Sequence, residues 1–254
     1  MSTGLEILPL TGMPEVREGD EIGGLIAAAA AESRVQLADD NVVVVAQKAV
    51  SKAEGRIRDL TDVKPGERAA ELGERLGKDP RLVEVILAES ARVVRAERGV
   101  LIVETKHGWI CANAGIDASN VQGSEAVALL PVDPDASARR IREELAGAAP
   151  VRPAVIVADT FGRPWRQGQT DVAIGCAGLV SLDEWRGRSD RHGRTLTATT
   201  IAVADELAAA ADLARTKSEG VPVVVIRGAE RWVSSDDGPG AAIIRRPAGE
   251  DLFR

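Results

Sequence analysis

Short apolar runs set the fold class of this 254-residue chain. They are rich in β-branched residues and occupy residues 5–10, 42–46, 101–105, 109–112, 154–158 and 221–226. Most of these runs are too continuously apolar to leave one face in water, which is typical of strands buried on both faces of a sheet. Helical patterns alternate with them, so the sequence predicts an α/β protein.

Two helices carry the same start signal, an aspartate followed by proline. Asp79 and Pro80 precede a helix predicted over residues 81–91, and Asp133 and Pro134 precede one predicted over 137–146. Aspartate is a favoured N-cap, and proline is tolerated at the first helical position. A third, alanine-rich helix is predicted over residues 201–213, with apolar spacing that suits packing on a sheet.

The residues Lys106, His107 and Gly108 predict a hairpin turn between two of the apolar runs. A hairpin requires antiparallel pairing, so we expect a mixed sheet, an α/β fold with some α+β character. We interpret His107 as a turn residue rather than a catalytic one, because no nucleophile lies near it in the sequence.

Composition excludes several classes of protein. The net charge of -7 and the pI near 5.1 argue against general electrostatic binding to nucleic acid. The sequence shows neither a long uncharged apolar stretch nor a charged-then-apolar leader, so we expect no membrane span and a cytoplasmic location. Two cysteines and two histidines are too few for a disulfide scaffold or a histidine-rich metal centre.

The common nucleotide-binding motifs are missing. Residues 73–79 have one residue too few between the glycines for a P-loop and lack the serine or threonine that contacts magnesium. Residues 238–240 place a proline between two glycines, with no third glycine at Ile243. Any nucleotide site is therefore of another kind.

Functional groups follow the apolar run 154–158. We expect this buried strand to deliver to one loop an acid, a hydroxyl, two arginines and a second acid, namely Asp159, Thr160, Arg163, Arg166 and Asp171. Such a mixture suits an anion held by cations beside a metal held by carboxylate. A solvated turn is the simpler alternative. The Trp165 indole in this segment could stack on a ligand ring, but we expect it to pack in the core.

Two further segments have a similar character. After the run 42–46, helical spacing would place Lys48, Lys52 and Arg56 on one face, where they could bind phosphates, although a solvated amphipathic turn has the same pattern. After the run 109–112, Asp117 could bind a hard cation and Asn120 a polar group of a nucleotide or substrate. The alternative there is an Asx-type turn.

Together these segments resemble the coenzyme F-420-0:L-glutamate ligase family, the gamma-glutamyl ligases that complete a deazaflavin coenzyme. The resemblance spans most of the chain. It rests on Gln-Lys (47–48) with Val-Ser-Lys-Ala-Glu-Gly-Arg (50–56), Ala-Asn-Ala-Gly-Ile-Asp (112–117) with Ser-Asn (119–120), Asp-Thr-Phe-Gly-Arg-Pro-Trp-Arg (159–166) with Gly-Gln-Thr-Asp-Val-Ala-Ile-Gly (168–175), Ile-Ala-Val-Ala-Asp-Glu-Leu-Ala (201–208) and Lys-Ser-Glu-Gly-Val-Pro (217–222). Several long motifs in order are far more specific than any single pattern.

The resemblance implies a GTP-dependent amide ligase. A carboxylate of the deazaflavin coenzyme precursor would be activated as an acyl phosphate, and the amine of L-glutamate would displace phosphate, so that GDP and phosphate are released and a gamma-linked tail grows. The family also implies a divalent ion, Mn²⁺ or Mg²⁺, with potassium as a further candidate. Its fold is a two-lobed α/β monomer in an intertwined homodimer.

The family's functional residues fall on matching positions of this sequence. Asp117, Asp159 and Thr160 would hold the metal. GTP would be bound by Leu8, Pro9, Leu10, Thr11, Gln47, Lys52 and Asn120. We expect Lys52 and Asp159 to be catalytic, with Lys52 at the transferring phosphate. Family members often carry a small hydroxyl residue where Gln47 stands. Charge and loop position alone assign Arg163 and Arg166 to substrate or nucleotide phosphates.

We expect residues 1–254 to form a single gamma-glutamyl ligase module of one lobe or two interleaved lobes, without the C-terminal nitroreductase-like domain that some relatives carry. Two other functions use the same residues. A metal-dependent nucleotide phosphohydrolase would consume nucleotide without an amine acceptor, and a non-catalytic GTP-binding module would turn nothing over. Dependence on glutamate separates the ligase from both.

Overall fold

The structure, a computed structural model, describes residues 4–117, 125–215 and 220–252. Its strands in chain order are β1 (Glu6–Pro9), β2 (Val42–Ala46), β3 (Ile57–Asp59), β4 (Ser90–Glu97), β5 (Val100–Thr105), β6 (Ile110–Ala112), β7 (Ala126–Ala128), β8 (Ala154–Arg163), β9 (Arg166–Ala177), β10 (Asp183–Glu184), β11 (Thr200–Ile201) and β12 (Val223–Arg227). Its α-helices are α1 (Ile22–Glu32), α2 (Gln47–Ala53), α3 (Glu67–Leu76), α4 (Pro80–Ala88), α5 (Pro134–Ala148) and α6 (Val203–Ala214). The predicted α/β class is confirmed.

A five-stranded sheet forms the centre of the molecule, in the order β1-β12-β2-β8-β9. β2 and β8 run parallel, whereas the other neighbours are antiparallel, so the predicted mixed sheet is confirmed. Helices α1, α2 and α5 cover one face of this sheet, called here the α5 face, and α6 covers the other, the α6 face. This double cover explains why the strand β2 is continuously apolar.

Successive residues of β8 point to opposite faces of the central sheet. Val155 and Val157 pack on the α5 face, and Ile156 and Ala158 pack on the α6 face. The alternation continues beyond the core, so the strand directs Asp159 and Thr160 to different faces.

A smaller antiparallel sheet, β4-β5-β6, packs with α3 and α4 around a core of its own. The turn between β5 and β6 is the one predicted at His107. Thr105 and Trp109 close it through a backbone hydrogen bond of 2.8 Å, and Gly108 adopts a positive φ of 86° within it. A short pair, β3-β7, adds a third small sheet.

Both predicted aspartate caps are present. Asp79 accepts a hydrogen bond from the Arg81 N–H at 2.8 Å, and Asp133 accepts one from the Ala136 N–H at 2.9 Å. α4 ends at Ala88 rather than at the predicted residue 91, because Ser90 begins β4.

The segment after Ala158 is not the loop that the sequence suggested. β8 continues to Arg163, turns at Pro164 and Trp165, and returns as β9. The two strands satisfy each other's backbone groups, so the pair extends past the hydrophobic core. Trp165 lies at the turn with 78% of its surface exposed, and the prediction that it packs in the core is wrong.

Candidate active site

A cavity of about 630 Å³ opens at the carboxyl ends of the parallel strands β2 and β8. Its lining comes from α2, the segment 13–16, β8, β9, Asp212, Arg215 and residues 220–222. Ala46 and Ala158 are paired at the end of the parallel ladder, so the residues after them enter the cavity together. Ligands of α/β proteins commonly bind at this edge of a sheet.

Two carboxylates and a lysine lie on the α5 side of the cavity. Lys48 Nζ is 2.8 Å from Asp117 Oδ2. Burial raises the pKa of Asp159 to about 7; a hydrogen bond from the Thr160 N–H lowers it, and the Asp171 and Asp117 carboxylates raise it further. A divalent cation would stabilise the charged form of such a group.

Thr160 lies on the α6 side of the cavity, where its hydroxyl contacts one member of a buried ion pair. Its Oγ1 donates a hydrogen bond of 2.7 Å to Asp171 Oδ1. The other oxygen of Asp171 accepts a hydrogen bond from Arg215 Nη2. The side chains of Asp171 and Arg215 are only 6% and 8% exposed.

Arg215 had no signal in the sequence. It follows the alanine-rich helix α6, and its partner Asp171 is 44 positions earlier in the chain. Its Nε is buried and has no hydrogen-bond partner within the described part of the chain. Asp171 belonged to the segment that the sequence singled out, but without a role.

α2 presents two cations to the cavity rather than three. Lys48 and Lys52, four residues apart, both line it, and Lys52 forms an ion pair with Glu15. The helix ends at Ala53, so Arg56 does not continue their face. Arg56 instead donates to Leu130 O at 2.9 Å and pairs with Glu89, in a second cavity of about 480 Å³. The prediction of three cations on one face is therefore wrong.

Gln47 lines the cavity, but its amide is engaged inside the protein. Gln47 Nε2 donates to Leu129 O at 3.0 Å and also to Ser51 Oγ, and only 2% of the residue is exposed. The four residues Leu8, Pro9, Leu10 and Thr11 do not line the cavity, and Leu10 is completely buried. The residues that follow them, 13–16, do line it. Asn120 lies outside the described residues.

Arg163 and Arg166 are paired at the far end of the β8-β9 hairpin. Arg163 is three positions after Thr160 along the strand, a distance of roughly 10 Å. Both arginines are exposed and outside the cavity lining, and Arg163 Nη2 donates to Gln167 O at 3.0 Å. The structure does not bring them to the carboxylates.

The oxygen donors of the cavity suit a hard cation, since Mg²⁺ and Mn²⁺ prefer carboxylate and hydroxyl oxygens. Within the described ranges, however, three or more acidic, histidine or cysteine residues are nowhere grouped as a metal site. No helix of the described chain is long and apolar enough to cross a membrane.

Comparison with known proteins decides the family. Residues 12–228 match the family described as F420-0:Gamma-glutamyl ligase. The chain belongs to this family. It is therefore a ligase, as the sequence motifs predicted. The matched range contains every residue that lines the cavity, whereas residues 8–11 precede it.

Three archaeal relatives, each named coenzyme F420:L-glutamate ligase, are similar over most of their length. The chain is 46% identical over 252 residues to the protein of Methanothermobacter thermautotrophicus, which covers 99% of each chain. It is 42% identical over 253 residues to that of Methanopyrus kandleri, covering 98% of each. It is 42% identical over 217 residues to that of Methanocaldococcus jannaschii, covering 85% of each.

Proposed function

We propose that this protein is a GTP-dependent ligase that adds L-glutamate through gamma-glutamyl bonds to the deazaflavin precursor of coenzyme F420. The observation that carries the proposal is one cavity in which carboxylates, a hydroxyl and lysines meet at the carboxyl ends of parallel strands. The named activity of relatives that share 42–46% of their residues with this chain supports it.

The reaction has two steps. A carboxylate oxygen of the acceptor attacks the γ-phosphorus of GTP, and the bond from that phosphorus to GDP breaks, which leaves an acyl phosphate. The glutamate amine then attacks the acyl carbon, the carbon–oxygen bond to phosphate breaks, and the nitrogen loses a proton as the amide forms. Both steps depend mainly on positioning and on neutralising charge.

Asp117, Asp159 and Thr160 would hold Mn²⁺ or Mg²⁺, with potassium as a further candidate ion. A bound divalent ion would neutralise charge on the phosphates. The ligands would reach it from two sides, with Asp117 and Asp159 on the α5 side and Thr160 on the α6 side.

Lys52 would contact the transferring phosphate. Lys52 forms an ion pair with Glu15, and Lys48 forms one with Asp117. A phosphate that binds either lysine would therefore replace the carboxylate partner of that lysine. Charge-assisted hydrogen bonds of this kind are the strong ones.

The family resemblance implies that GTP would also contact Gln47, Asn120 and residues 8–11. Arg163 and Arg166, assigned from charge and loop position alone, would bind phosphates of the substrate or the nucleotide. We also propose a cytoplasmic homodimer, as the resemblance implies.

Mass spectrometry tests the proposed reaction. Purified protein is incubated with the deazaflavin precursor, GTP, Mn²⁺ and L-glutamate while GDP is followed in parallel, and glutamate is omitted as the control. We expect mass increments of one glutamate residue that track GDP release. Release of GDP without product would indicate a phosphohydrolase, and neither GDP nor product would indicate a binding module.

A further inference from the structure

Thr160 and Asp171 are direct cross-strand partners in the β8-β9 ladder. Partners of this kind project to the same face of a sheet, and here Thr160 Oγ1 donates to Asp171 Oδ1 at 2.7 Å. A carboxylate has no proton to give, so the direction of the bond is fixed. The bond uses the only proton of the hydroxyl and leaves both lone pairs of Oγ1, in a residue that lines the cavity.

Asp171 cannot easily turn away from Thr160. Its second oxygen accepts from Arg215 Nη2, and both side chains are more than nine-tenths buried. Separating such a pair leaves an uncompensated buried charge, which is strongly destabilising. Arg215 therefore fixes the carboxylate, and the carboxylate fixes the hydroxyl.

The contacts from Arg215 through Asp171 to Thr160 lie on the α6 side of the cavity. Asp159 and Thr160 are consecutive and point to opposite faces of the sheet, and Lys48 and Asp117 belong to the Asp159 side. On the α6 side, Thr160 is the residue that offers a cation-binding oxygen from β8. The orientation of one hydroxyl therefore decides what that side of the cavity can bind.

We infer that Asp171, held by Arg215, is a positioning residue that turns the oxygen of Thr160 toward a divalent cation in the cavity. The inference rests on the proposed function, which supplies the ion. Asp171 also lines the cavity, and in this inference it acts through Thr160 rather than as a ligand of the ion. Residues that orient a ligand in this way typically change metal affinity about 10- to 100-fold when they are replaced.

Asp171→Asn is the main test. Asparagine keeps the shape but has an amide nitrogen in place of one oxygen, so a donor faces either Arg215 or the Thr160 hydroxyl. In the first case two donors oppose each other, and in the second the hydroxyl must turn a lone pair toward the amide. We expect Mn²⁺ binding, measured on the full chain with GDP by electron paramagnetic resonance of the unbound ion, to weaken about 10- to 100-fold.

A double-mutant cycle separates positioning from general damage. Thr160→Val removes the hydroxyl and should weaken Mn²⁺ binding, whereas Thr160→Ser should retain it. If Asp171 acts through Thr160, adding Asp171→Asn to the Thr160→Val variant should weaken binding no further. Arg215→Lys keeps the positive charge and provides a second probe of the same cycle if Asp171→Asn does not fold.

Asp205→Asn is the matched control. Asp205 is a carboxylate of α6, and its hydrogen bond of 3.0 Å comes from the Ala173 N–H rather than from Thr160. Its replacement should leave Mn²⁺ affinity at the wild-type value. Thermal unfolding of every variant shows which ones retain the fold.

Two results would overturn the inference alone: wild-type Mn²⁺ affinity in Asp171→Asn, or a full additional loss when Asp171→Asn is added to Thr160→Val. Ligation by the wild-type protein, assayed on the same preparation, would show that the proposed function stands in either case. A wild-type protein that binds no Mn²⁺ and forms no product would overturn both.

Discussion

Asp159 links the chemistry of the cavity to the stability of the protein. Burial raises its pKa to about 7, whereas an aspartate in an unfolded chain has a pKa of about 4. At this carboxyl the folded state thus binds a proton more tightly than the unfolded state does. The resulting contribution to the free energy of unfolding is complete below about pH 4 and is lost as the pH rises through about 7. We predict that the melting temperature of the metal-free protein falls across this range, and that Asp159→Asn flattens the fall.

Calorimetry at a series of pH values measures this effect. Asp62→Asn, at an exposed aspartate outside the cavity, provides a control for the loss of one negative charge. Equal slopes for the wild-type and Asp159→Asn proteins would show that this carboxyl does not titrate in the window. In the ligation assay, Asp159→Asn should lose metal-supported turnover.

Lys52 should contribute to catalysis through charge. A hydrogen bond to a charged group is worth about 1.5–3 kcal/mol, so Lys52→Ala should lower kcat/KM for GTP roughly 10- to 100-fold while the protein remains folded. Steady-state kinetics with varied GTP measure the loss. Lys64→Ala, at an exposed lysine outside the cavity, should have no effect. Unchanged kinetics in Lys52→Ala at low GTP would remove Lys52 from the phosphate site.

Local sequence patterns predicted five site residues that the structure places around one cavity, namely Lys48, Lys52, Asp117, Asp159 and Thr160. Each follows an apolar strand, which is a local signal. The pairing of Arg215 with Asp171 had no such signal, because it depends on α6 packing beside β9. A contact between distant segments is invisible until the fold is known.

At the scale of elements, helices α1 and α5 approach each other closely at Gly23. A Cβ on Gly23 would lie 2.4 Å from Glu144 Cβ of α5, whereas a Cβ on Gly24 would meet nothing within 4 Å. We predict that Gly23→Ala destabilises the protein by about 1–3 kcal/mol through overpacking. Gly24→Ala should stabilise it by up to about 1 kcal/mol, because alanine favours the helix.

Urea unfolding of the two variants provides the comparison. They share the helix, the substitution and the change in volume, so opposite signs isolate the contact between α1 and α5. Equal stabilities would mean that these helices separate at little cost.

Elements with signals inside their own sequence were predictable. The apolar run 42–46 is β2, and the Asp-Pro pairs mark the starts of α4 and α5. The outer end of β8 and the whole of β9 were missed. Their outer residues are polar and become strands only by pairing with each other. The exposed Trp165 belongs to this same feature. β4 was missed since its pattern of burial shows no regular alternation.

At the scale of the whole molecule, the two cysteines report on separate parts of the structure. Cys111 lies in β6 of the smaller sheet and Cys176 in β9 of the central sheet, and burial raises the pKa of each thiol to about 12. We predict that neither reacts with a thiol reagent in the native protein at pH 8, and that both react after denaturation.

The rates at which the two thiols react during unfolding carry further information. The smaller sheet is inserted in the chain between β2 and β8, so we expect both thiols to become reactive in a single phase as the protein unfolds. Cys111→Ala and Cys176→Ala variants identify which thiol is observed. Earlier reaction of Cys111 would show that the smaller sheet opens independently.

The strand order also bears on how the chain is made. β12 lies between β1 and β2, although it is the last strand of the sheet in the sequence. A ribosome releases the N-terminus first, so β1 leaves it long before β12, its neighbour in the described sheet, exists. One edge of the buried strand β2 also stays open for most of synthesis. Unpaired apolar edges of this kind attract other chains. Interruption of translation before residue 223 removes an interior strand rather than an outer one, and such a fragment should depend on chaperones.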